Sequence, residues 1–318
     1  MSQPLADRPR LDPRKFQDPS VTARGERRAQ VALKALETLW FNTGTLCNLT
    51  CQNCYIDSSP KNDRLVYLST AEVAEYLDQI ARDGLGTDLI GFTGGEPFMN
   101  SDLPAMLDDA MSRGFQTIVL TNAMKPMHKC KPALLRLRER YGHRLTIRVS
   151  IDHYGCAVHE AERGKRSWQP TIDGLCWLAE NNFAINVASR YLSGEPEPVL
   201  RRGFARLFEQ LSVTLDADDP VALMIFPEMD ATIDVPEITE ACWGILGTSP
   251  EGVMCATSRM VVKHKGAPRP TVIACTLLPY QKLFDLGPTL AEATGAVPLN
   301  HPHCAKFCVL GRAACSRG

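Results

Sequence analysis

Three cysteines stand close together in the segment from Cys47 to Tyr55, which reads CNLTCQNCY. Three residues separate Cys47 from Cys51, and two separate Cys51 from Cys54. A zinc site usually takes four protein ligands, or three with nitrogen or oxygen donors and an open position. Three thiolates without a fourth partner nearby fit an iron–sulfur cubane in which one iron stays open for a substrate-like molecule. The spacing therefore favours an iron–sulfur cluster over zinc or a chance grouping.

A second group of cysteines lies near the end of the chain, at Cys255, Cys275, Cys304, Cys308 and Cys315. The first two flank a stretch that contains Gly266, and we predict a small hairpin between them. Clustered thiols in a reducing compartment are more often metal ligands or redox groups than disulfides. This group therefore indicates a second metal site.

The tetrad Gly94-Gly95-Glu96-Pro97 follows a predicted strand. Paired glycines allow the backbone to approach a ligand closely, and a buried carboxylate can accept hydrogen bonds from a ligand ammonium group. Ligands bind at this carboxyl end of the strands in parallel α/β sheets. A tight turn would explain the same tetrad. The tetrad indicates a ligand site only in combination with the cysteine segment that follows the preceding strand.

Alternating strand-like and helix-like segments must position these motifs. The apolar runs predict strands over 38–43, 88–92, 116–120, 145–151, 183–188 and 221–226. The longer periodic stretches predict helices over 70–83, 102–112, 132–141, 169–181 and 199–211. Ser69 or Thr70 can begin the first helix, and Gly84 can end it. The repetition implies a parallel sheet with helices on its outer face, either open or rolled into a partial barrel.

Composition narrows the class of protein. The chain has 318 residues, 44% of them hydrophobic and 22% charged, with a formal net charge of −1, which is typical of a soluble globular protein. This balance predicts neither a nucleic-acid partner nor a membrane partner, and the polar start does not resemble a secretory signal. We expect a cytoplasmic protein. We interpret the short basic cluster at 24–28 as the solvated start of a helix.

The changes of pattern divide the chain into three parts. We predict an N-terminal arm and helix over 1–37, a core over 38–230, and a small cysteine-rich extension over 231–318. The repeating units stop after the core, where glycine and proline become frequent. Polar groups at 128, 153, 190, 191, 228 and 230 are candidates for proton handling, but the sequence selects none of them.

Together, the cysteine segment with Tyr55 and the Gly94–Pro97 tetrad resemble the radical S-adenosylmethionine (radical SAM) enzyme family. Thr121-Asn122-Ala123 is similar to the family's Thr-Asn-Gly, and Ser150-Ile151-Asp152 ends the fourth predicted strand. The stretch His159-Glu160-x2-Arg163-Gly164 resembles the branch with peptide-modifying and sulfatase-maturing members. Two positions depart from the pattern. Asn53 stands where many members carry an aromatic residue, and Ala123 stands where glycine is usual.

The resemblance, over about 38–230, implies an α/β fold with a partial (β/α)6 TIM-like barrel. It implies that Cys47, Cys51 and Cys54 hold three irons of a [4Fe–4S] cluster while SAM chelates the fourth. Gly94, Gly95 and Glu96 would face the methionine amino group of SAM, Ser150 and Asp152 its ribose or carboxylate, and Tyr55 its adenine. An electron from a donor such as flavodoxin or ferredoxin would split SAM into methionine and a 5′-deoxyadenosyl radical, which abstracts hydrogen from a substrate.

The C-terminal cysteines resemble the auxiliary-cluster extensions called twitch or SPASM domains. A full SPASM extension has seven cysteines, so the five here fit one auxiliary [4Fe–4S] cluster. We predict Cys255, Cys275, Cys304 and Cys308 as its ligands, with Cys315 as a spare or substitute. A structural zinc ion is the alternative, and His301 or His303 could replace a thiol.

The substrate is the least determined part of this interpretation. Leader-binding modules of peptide-modifying relatives are longer than the segment before Cys47, so we expect no such module. A peptide or protein side chain is the favoured substrate, and dehydrogenation or rearrangement of a small metabolite is the alternative. More distant alternatives are an iron–sulfur electron carrier, which would leave the tetrad unexplained, and a zinc-stabilised binding module.

Overall fold

The computed structural model describes residues 9–228 and 230–313, and its centre is an eight-stranded sheet. The strands of the described residues, in chain order, are β1 (Gln30–Val31), β2 (Thr38–Asn42), β3 (Leu89–Thr93), β4 (Gln116–Thr121), β5 (Leu145–Ser150), β6 (Ala184–Arg190), β7 (Leu223–Phe226), β8 (Ser258–Val262), β9 (Thr271–Ile273) and β10 (Val297–Pro298). The helices are α1 (Thr70–Asp83), α2 (Leu103–Ser112), α3 (Lys125–Lys129), α4 (Lys131–Tyr141), α5 (Cys156–Arg163), α6 (Trp168–Glu180), α7 (Glu197–Gln210) and α8 (Cys242–Leu246).

The main sheet has the order β7-β6-β5-β4-β3-β2-β8-β9. Strands β2 to β7 pair in parallel with their neighbours, and the longer helices between them return the chain from one strand to the next. This is the α/β repetition that the sequence predicts, with all six expected core strands present. Strands β7 and β9 lie at opposite ends of the order, so the described sheet has two edges, as a partial barrel requires.

Helix α1 shows why local sequence signals located the elements well. The Ser69 side chain accepts a hydrogen bond from the Glu72 amide, and the Glu72 carboxylate accepts one from the Ser69 amide. This capping box satisfies two amides that the first turn would otherwise leave unpaired. Gly84 ends the helix in the left-handed conformation, at φ +59°. The helix therefore spans the range that its caps predict.

Close packing inside the sheet depends on Gly91 of β3. A Cβ atom at this position would lie 2.3 Å from the indole ring of Trp40, which is fully buried on β2. No side chain larger than hydrogen fits beside that ring. Trp40 belongs to a core cluster shared mainly with the C-terminal segment, whereas Phe41 and Phe92 face the cluster that packs against the helices.

The C-terminal segment is joined to this sheet. Strand β8 pairs in parallel with β2, and β9 pairs with β8 in antiparallel orientation, which confirms a small hairpin between Cys255 and Cys275. Strands β8 and β9 thereby extend the core sheet. The division of the chain at 230 stays a prediction.

The N-terminal segment differs from its prediction. Residues 9–37 contain no helix, and the expected solvated helix start at 24–28 is wrong. Val21 and Arg27 pair across a turn, and the Arg28 guanidinium is fully buried against the Glu237 carboxylate. Strand β1 pairs with β10, so this segment is held by the C-terminal part. Partners more than 200 residues away give no signal in the local pattern. Among the described residues, no helix is both long and apolar enough to cross a lipid bilayer.

Replacing Arg28 with alanine should destabilise the fold strongly. The change leaves the Glu237 carboxylate buried without its ion-pair partner, and breaking such a pair costs about 3–5 kcal/mol. Arg27→Ala is the matched control, because Arg27 is 81% exposed and its ion pair with Glu240 lies at the surface. Urea unfolding followed by circular dichroism measures both. Equal losses for the two variants would contradict the buried-pair argument.

Candidate functional site

The predicted cysteine segment forms a loop after β2, and its three thiols open on one cavity of about 130 Å³. Cys47 is buried, whereas Cys51 and Cys54 are partly exposed. The cavity lies at the carboxyl ends of the parallel strands. Besides the cysteines it is lined by residues of the predicted site and of the strand ends, among them Tyr55, Gly94, Gly95, Thr121, Asn122, Ser150, Asp152, Arg163, Ser189, Arg190 and Phe226.

The loop backbone points two amides at these sulfurs. The Leu49 amide donates to Cys47 Sγ at 3.4 Å, and the Ser58 amide donates to Cys54 Sγ at 3.3 Å. Hydrogen bonds of this kind stabilise thiolates and tune the potential of iron–sulfur clusters. Burial is the largest cause that raises the pKa of Cys47 to about 12 and that of Cys51 to about 11. A thiolate in this cavity therefore needs a compensating positive charge, which iron would provide.

These residues fit an iron–sulfur cluster by donor type, by their shared cavity and by the amides aimed at sulfur. Within residues 9–228 and 230–313, no three histidine, cysteine, aspartate or glutamate side chains stand close enough to hold a metal ion. The fit therefore rests on the donor set, the shared cavity and the two amides.

The Gly94-Gly95 pair packs directly on the cysteine loop. A Cβ atom on Gly94 would lie 2.5 Å from the Gly44 carbonyl oxygen, and one on Gly95 would lie 2.3 Å from that of Leu46. Gly94 also has a φ of +148°, a backbone conformation that residues with a side chain rarely adopt. The Gly95 amide donates to the Gly44 carbonyl at 2.8 Å, and the Glu96 amide donates to that of Leu46 at 3.1 Å. The two glycines are therefore required by the loop backbone as well as available to a ligand.

Glu96 lies behind the cavity wall. Its fully buried carboxylate accepts hydrogen bonds from the Thr121 hydroxyl at 2.8 Å, the Asn122 amide at 2.9 Å and the Phe98 amide at 3.2 Å. Burial raises its pKa to about 7, against the lowering effect of these bonds. Glu96 does not line the cavity, in contrast to Gly94 and Gly95. In this structure its carboxylate fixes the turn after β4.

The turn after β4 contains the predicted Thr121-Asn122-Ala123 motif. The Asn122 side chain donates to Asn48 Oδ1 of the cysteine loop at 3.0 Å. Ala123 adopts φ +58°, the left-handed region in which glycine is favoured. The departure from glycine is therefore accommodated by backbone strain at this position, while the hydrogen bonds of the motif remain.

On the opposite wall, Ser150 ends β5, Asp152 follows it, and both line the cavity. Asp152 forms a bidentate ion pair with Arg163, with distances of 2.7 and 3.0 Å. Burial raises the pKa of Asp152, but the ion pair with Arg163 and the charge of Arg190 together contribute to a net pKa below its usual value. Tyr55 also lines the cavity and is 40% exposed. The structure thus gathers all the predicted SAM-binding residues except Glu96 along one cavity.

Glu162 was missed by the sequence analysis, and Arg190 was only one of six polar candidates. Arg190 lines the cavity at the end of β6, and its guanidinium donates to Glu162 at 2.9 Å. His153, another candidate, is bound to Glu195 at 2.8 Å and does not line the cavity. The motif that contains Arg163 pointed to this helix end, but the partners of Glu162 are distant in sequence.

A second cavity brings together the four predicted auxiliary ligands, Cys255, Cys275, Cys304 and Cys308. It is small, about 20 Å³, and otherwise largely apolar. The last two cysteines lie on a π-helix over Cys304–Leu310, a conformation often found at functional sites. Burial raises the pKa of Cys255 to about 11 and that of Cys304 well above its usual value. Cys315 lies outside the described residues.

The two histidines beside Cys304 differ in position. His303 lines the second cavity, and its Nδ1 atom is buried without a hydrogen-bond partner among the described residues. His301 Nδ1 accepts a hydrogen bond from the His303 amide at 3.1 Å. Burial lowers the pKa of His303 to about 4, so its ring is neutral and retains a lone pair. Of the two rings, only that of His303 is placed as a possible substitute ligand.

Comparison with known proteins agrees with this geometry. Residues 41–198 match the model of the Radical SAM superfamily. The chain is 28% identical over 143 residues to the antilisterial bacteriocin subtilosin biosynthesis protein AlbA of Bacillus subtilis (strain 168), a stretch that covers 45% of this chain and 30% of AlbA. The chain thus spans less than a third of the length of this curated relative.

Two solved structures share the fold. Streptococcus suis SuiB bound to the precursor peptide SuiA superposes with a TM-score of 0.59 at 12% identity, over 83% of this chain and 66% of SuiB. Native anSMEcpe with bound AdoMet superposes with a TM-score of 0.57 at 13% identity, over 80% of this chain and 79% of that one. At these identities the likeness establishes the fold alone, and it confirms the predicted partial-barrel class.

Gly95→Ala should abolish iron binding at the cysteine loop, because the new methyl group would displace the Leu46 carbonyl and the loop with it. We expect the anaerobically reconstituted variant to lose about four irons per chain, the content of one cubane. Gly244→Ala is the control, since nothing lies within 4 Å of a Cβ atom at that position. The iron content of both folded variants is measured by colorimetric analysis. Wild-type iron content in Gly95→Ala would show that the contact is not required.

Proposed function

We propose that this radical SAM superfamily enzyme cleaves SAM reductively and abstracts hydrogen from a peptide or protein side chain. The observation that carries the proposal is the single cavity shared by Cys47, Cys51, Cys54 and the Gly94-Gly95 turn. When bound, the cluster would supply one electron to SAM. The sulfonium C–S bond of SAM would then break, which gives methionine and a 5′-deoxyadenosyl radical. The residues of the chain bind, orient and shield these groups.

Each wall of the cavity has a distinct part in this proposal. The three thiols would hold three irons, and the Gly94-Gly95 turn would present its backbone to the amino group of SAM. Ser150, with Arg163 and Arg190, offers hydrogen bonds to the ribose or carboxylate, while Asp152 is held by Arg163. Tyr55 stands at the exposed side, where an adenine ring could pack. Phe226 and Leu120 exclude water from the radical.

Two similarities support a peptide as the substrate. AlbA is named for bacteriocin biosynthesis, and the SuiB structure contains a precursor peptide. The cavity also lies beside β7, an edge strand of the described sheet, whose Phe226 lines it. A peptide could reach the cavity past this edge. A small metabolite is the alternative that the same cavity would admit.

The proposed reaction takes up one electron per SAM, so the enzyme needs a reductant. A small protein such as flavodoxin or ferredoxin is the proposed donor. The cysteine loop supports this role, because Thr50, Gln52 and Asn53 are exposed. Lys165 and Arg166 are also exposed, directly after the helix end that contacts the loop, and would attract an acidic carrier.

The reaction is tested with anaerobic protein, SAM and dithionite, by chromatography of 5′-deoxyadenosine. We expect release by the wild type and none by Cys51→Ala, while Cys156→Ala, an exposed thiol elsewhere, keeps the wild-type rate. A peptide encoded beside the gene should raise the rate and change mass. Iron binding without SAM cleavage would favour an electron carrier. Cleavage stimulated only by small metabolites would overturn the peptide substrate.

We further propose that Cys255, Cys275, Cys304 and Cys308 hold an auxiliary [4Fe–4S] cluster. Their common cavity and the Leu277 amide, which donates to Cys275 Sγ at 3.4 Å, support it. The wild type should then contain about eight irons per chain and Cys304→Ala about four. Cys242→Ala, outside this cavity, should keep all eight of these expected irons. One zinc beside about four irons in the wild type would identify a structural zinc site instead.

A further inference from the structure

Glu162, the penultimate residue of α5, holds the cysteine loop through both its backbone and its side chain. Its carbonyl oxygen accepts a hydrogen bond from the Gln52 amide at 2.8 Å. Its carboxylate accepts one from the Asn53 amide at 2.9 Å and another from Asn53 Nδ2 at 2.7 Å. The residue is only 4% exposed. Gln52 and Asn53 are the two residues between Cys51 and Cys54, so one buried residue fixes the whole connection between two thiols.

Asn53 gives this arrangement its chemistry. Any residue except proline would supply the backbone amide here, but the side-chain amide comes from asparagine itself. The Asn53 backbone and side chain together engage both carboxylate oxygens of Glu162. Hydrogen bonds to a charged acceptor are stronger than neutral ones, and burial strengthens them further. The Asn53 side chain therefore adds a second charge-assisted hydrogen bond to the one that its backbone makes.

The same carboxylate reaches the opposite wall of the cavity. Arg190 Nη1 donates to Glu162 Oε1 at 2.9 Å, while Arg190 Nη2 is buried without a partner among the described residues. Arg190 lines the cavity. The free nitrogen is thus available to an anionic group of a bound ligand. An anion there would attract the guanidinium of Arg190, which is linked to Asn53 by the hydrogen bonds of Glu162.

We propose that Glu162 is a positioning residue that fixes the segment between Cys51 and Cys54 from helix α5 and links it to Arg190 in the cavity wall. The inference rests on the proposed cluster at these cysteines. The loop is then ordered when the protein folds, and the thiols are already in position when the cluster is assembled. Through Arg190, the same contacts would also make loop order and ligand binding depend on each other.

The first test uses the full-length metal-free protein, so that it does not depend on activity. Hydrogen exchange of the segment 50–55 should be about tenfold faster in Glu162→Ala than in the wild type, because the Asn53 amide loses its acceptor. Glu162→Gln retains one acceptor oxygen and should lie between them. Asn53→Ala keeps its backbone bond and should also lie between them. Glu209→Ala, an exposed glutamate on α7, should match the wild type.

The second test follows cluster assembly and SAM binding in the same variants. Glu162→Ala should assemble its cluster about tenfold more slowly, because a disordered loop must be fixed during assembly. The addition of SAM should change the electron paramagnetic resonance spectrum of its reduced cluster less than in the wild type. The double variant with Asn53→Ala should be no worse than Glu162→Ala alone, since the two residues act through one contact.

Several outcomes would overturn the proposal while leaving the proposed function intact. Wild-type exchange and assembly in Glu162→Ala, with SAM cleavage preserved in the wild type, would show that the loop is ordered without Glu162. Additive effects of the two substitutions would show that they act separately. If the wild-type protein itself binds no iron but Glu162→Ala still exchanges faster, the contact exists and the proposed cluster is what fails.

Discussion

The cysteine loop and the Gly94-Gly95 turn touch backbone to backbone, and the rest of the site follows from that contact. The Gly44 and Leu46 carbonyl oxygens occupy the space that Cβ atoms would need, and they accept hydrogen bonds from the next amides along. A backbone carbonyl inside the protein requires a donor, so this contact both closes the loop and satisfies its polar groups. The ends of β2 and β3 are thereby locked together. Glu96 extends the lock to β4 through Thr121 and Asn122.

Paired charges hold the other wall. Asp152 binds Arg163, and Glu162 binds Arg190, so that two buried carboxylates and two half-buried guanidinium groups form two neutral pairs between α5 and the ends of β5 and β6. Buried ion pairs contribute little net stability compared with apolar packing, but they define geometry, because each unpaired group would carry a large desolvation penalty. These ion pairs therefore fix the orientation of the side chains in this wall, beside the thiols. The cavity consequently has one wall shaped by backbone contacts and one shaped by charge.

The C-terminal segment connects the two thiol groups structurally. Tyr280, which follows Cys275 closely in sequence, donates from its hydroxyl to the Ile56 carbonyl at 2.9 Å, just beyond Cys54. The guanidinium of Arg64 lies 3.4 Å from the centre of the Tyr280 ring. On the other side, Phe307 of the π-helix stacks on Phe226 of β7, with ring centres 5.3 Å apart. These contacts connect the surroundings of the two groups of cysteines.

Features that depend on neighbouring residues could be predicted from the amino-acid sequence. The caps of α1, the six parallel core strands and the spacing of Cys47, Cys51 and Cys54 are local signals, and the structure agrees with the first two. The short helix α5 and the partners of Arg28 escaped prediction, since a few residues carry little periodicity and a distant carboxylate leaves no trace in the pattern. Long-range packing places β8 beside β2 in the core sheet and turns Glu96 towards Thr121 and Asn122, away from the cavity. The same holds for the contact between Glu162 and Asn53, because such pairing depends on packing and on the need to satisfy buried charges, which no local spacing encodes.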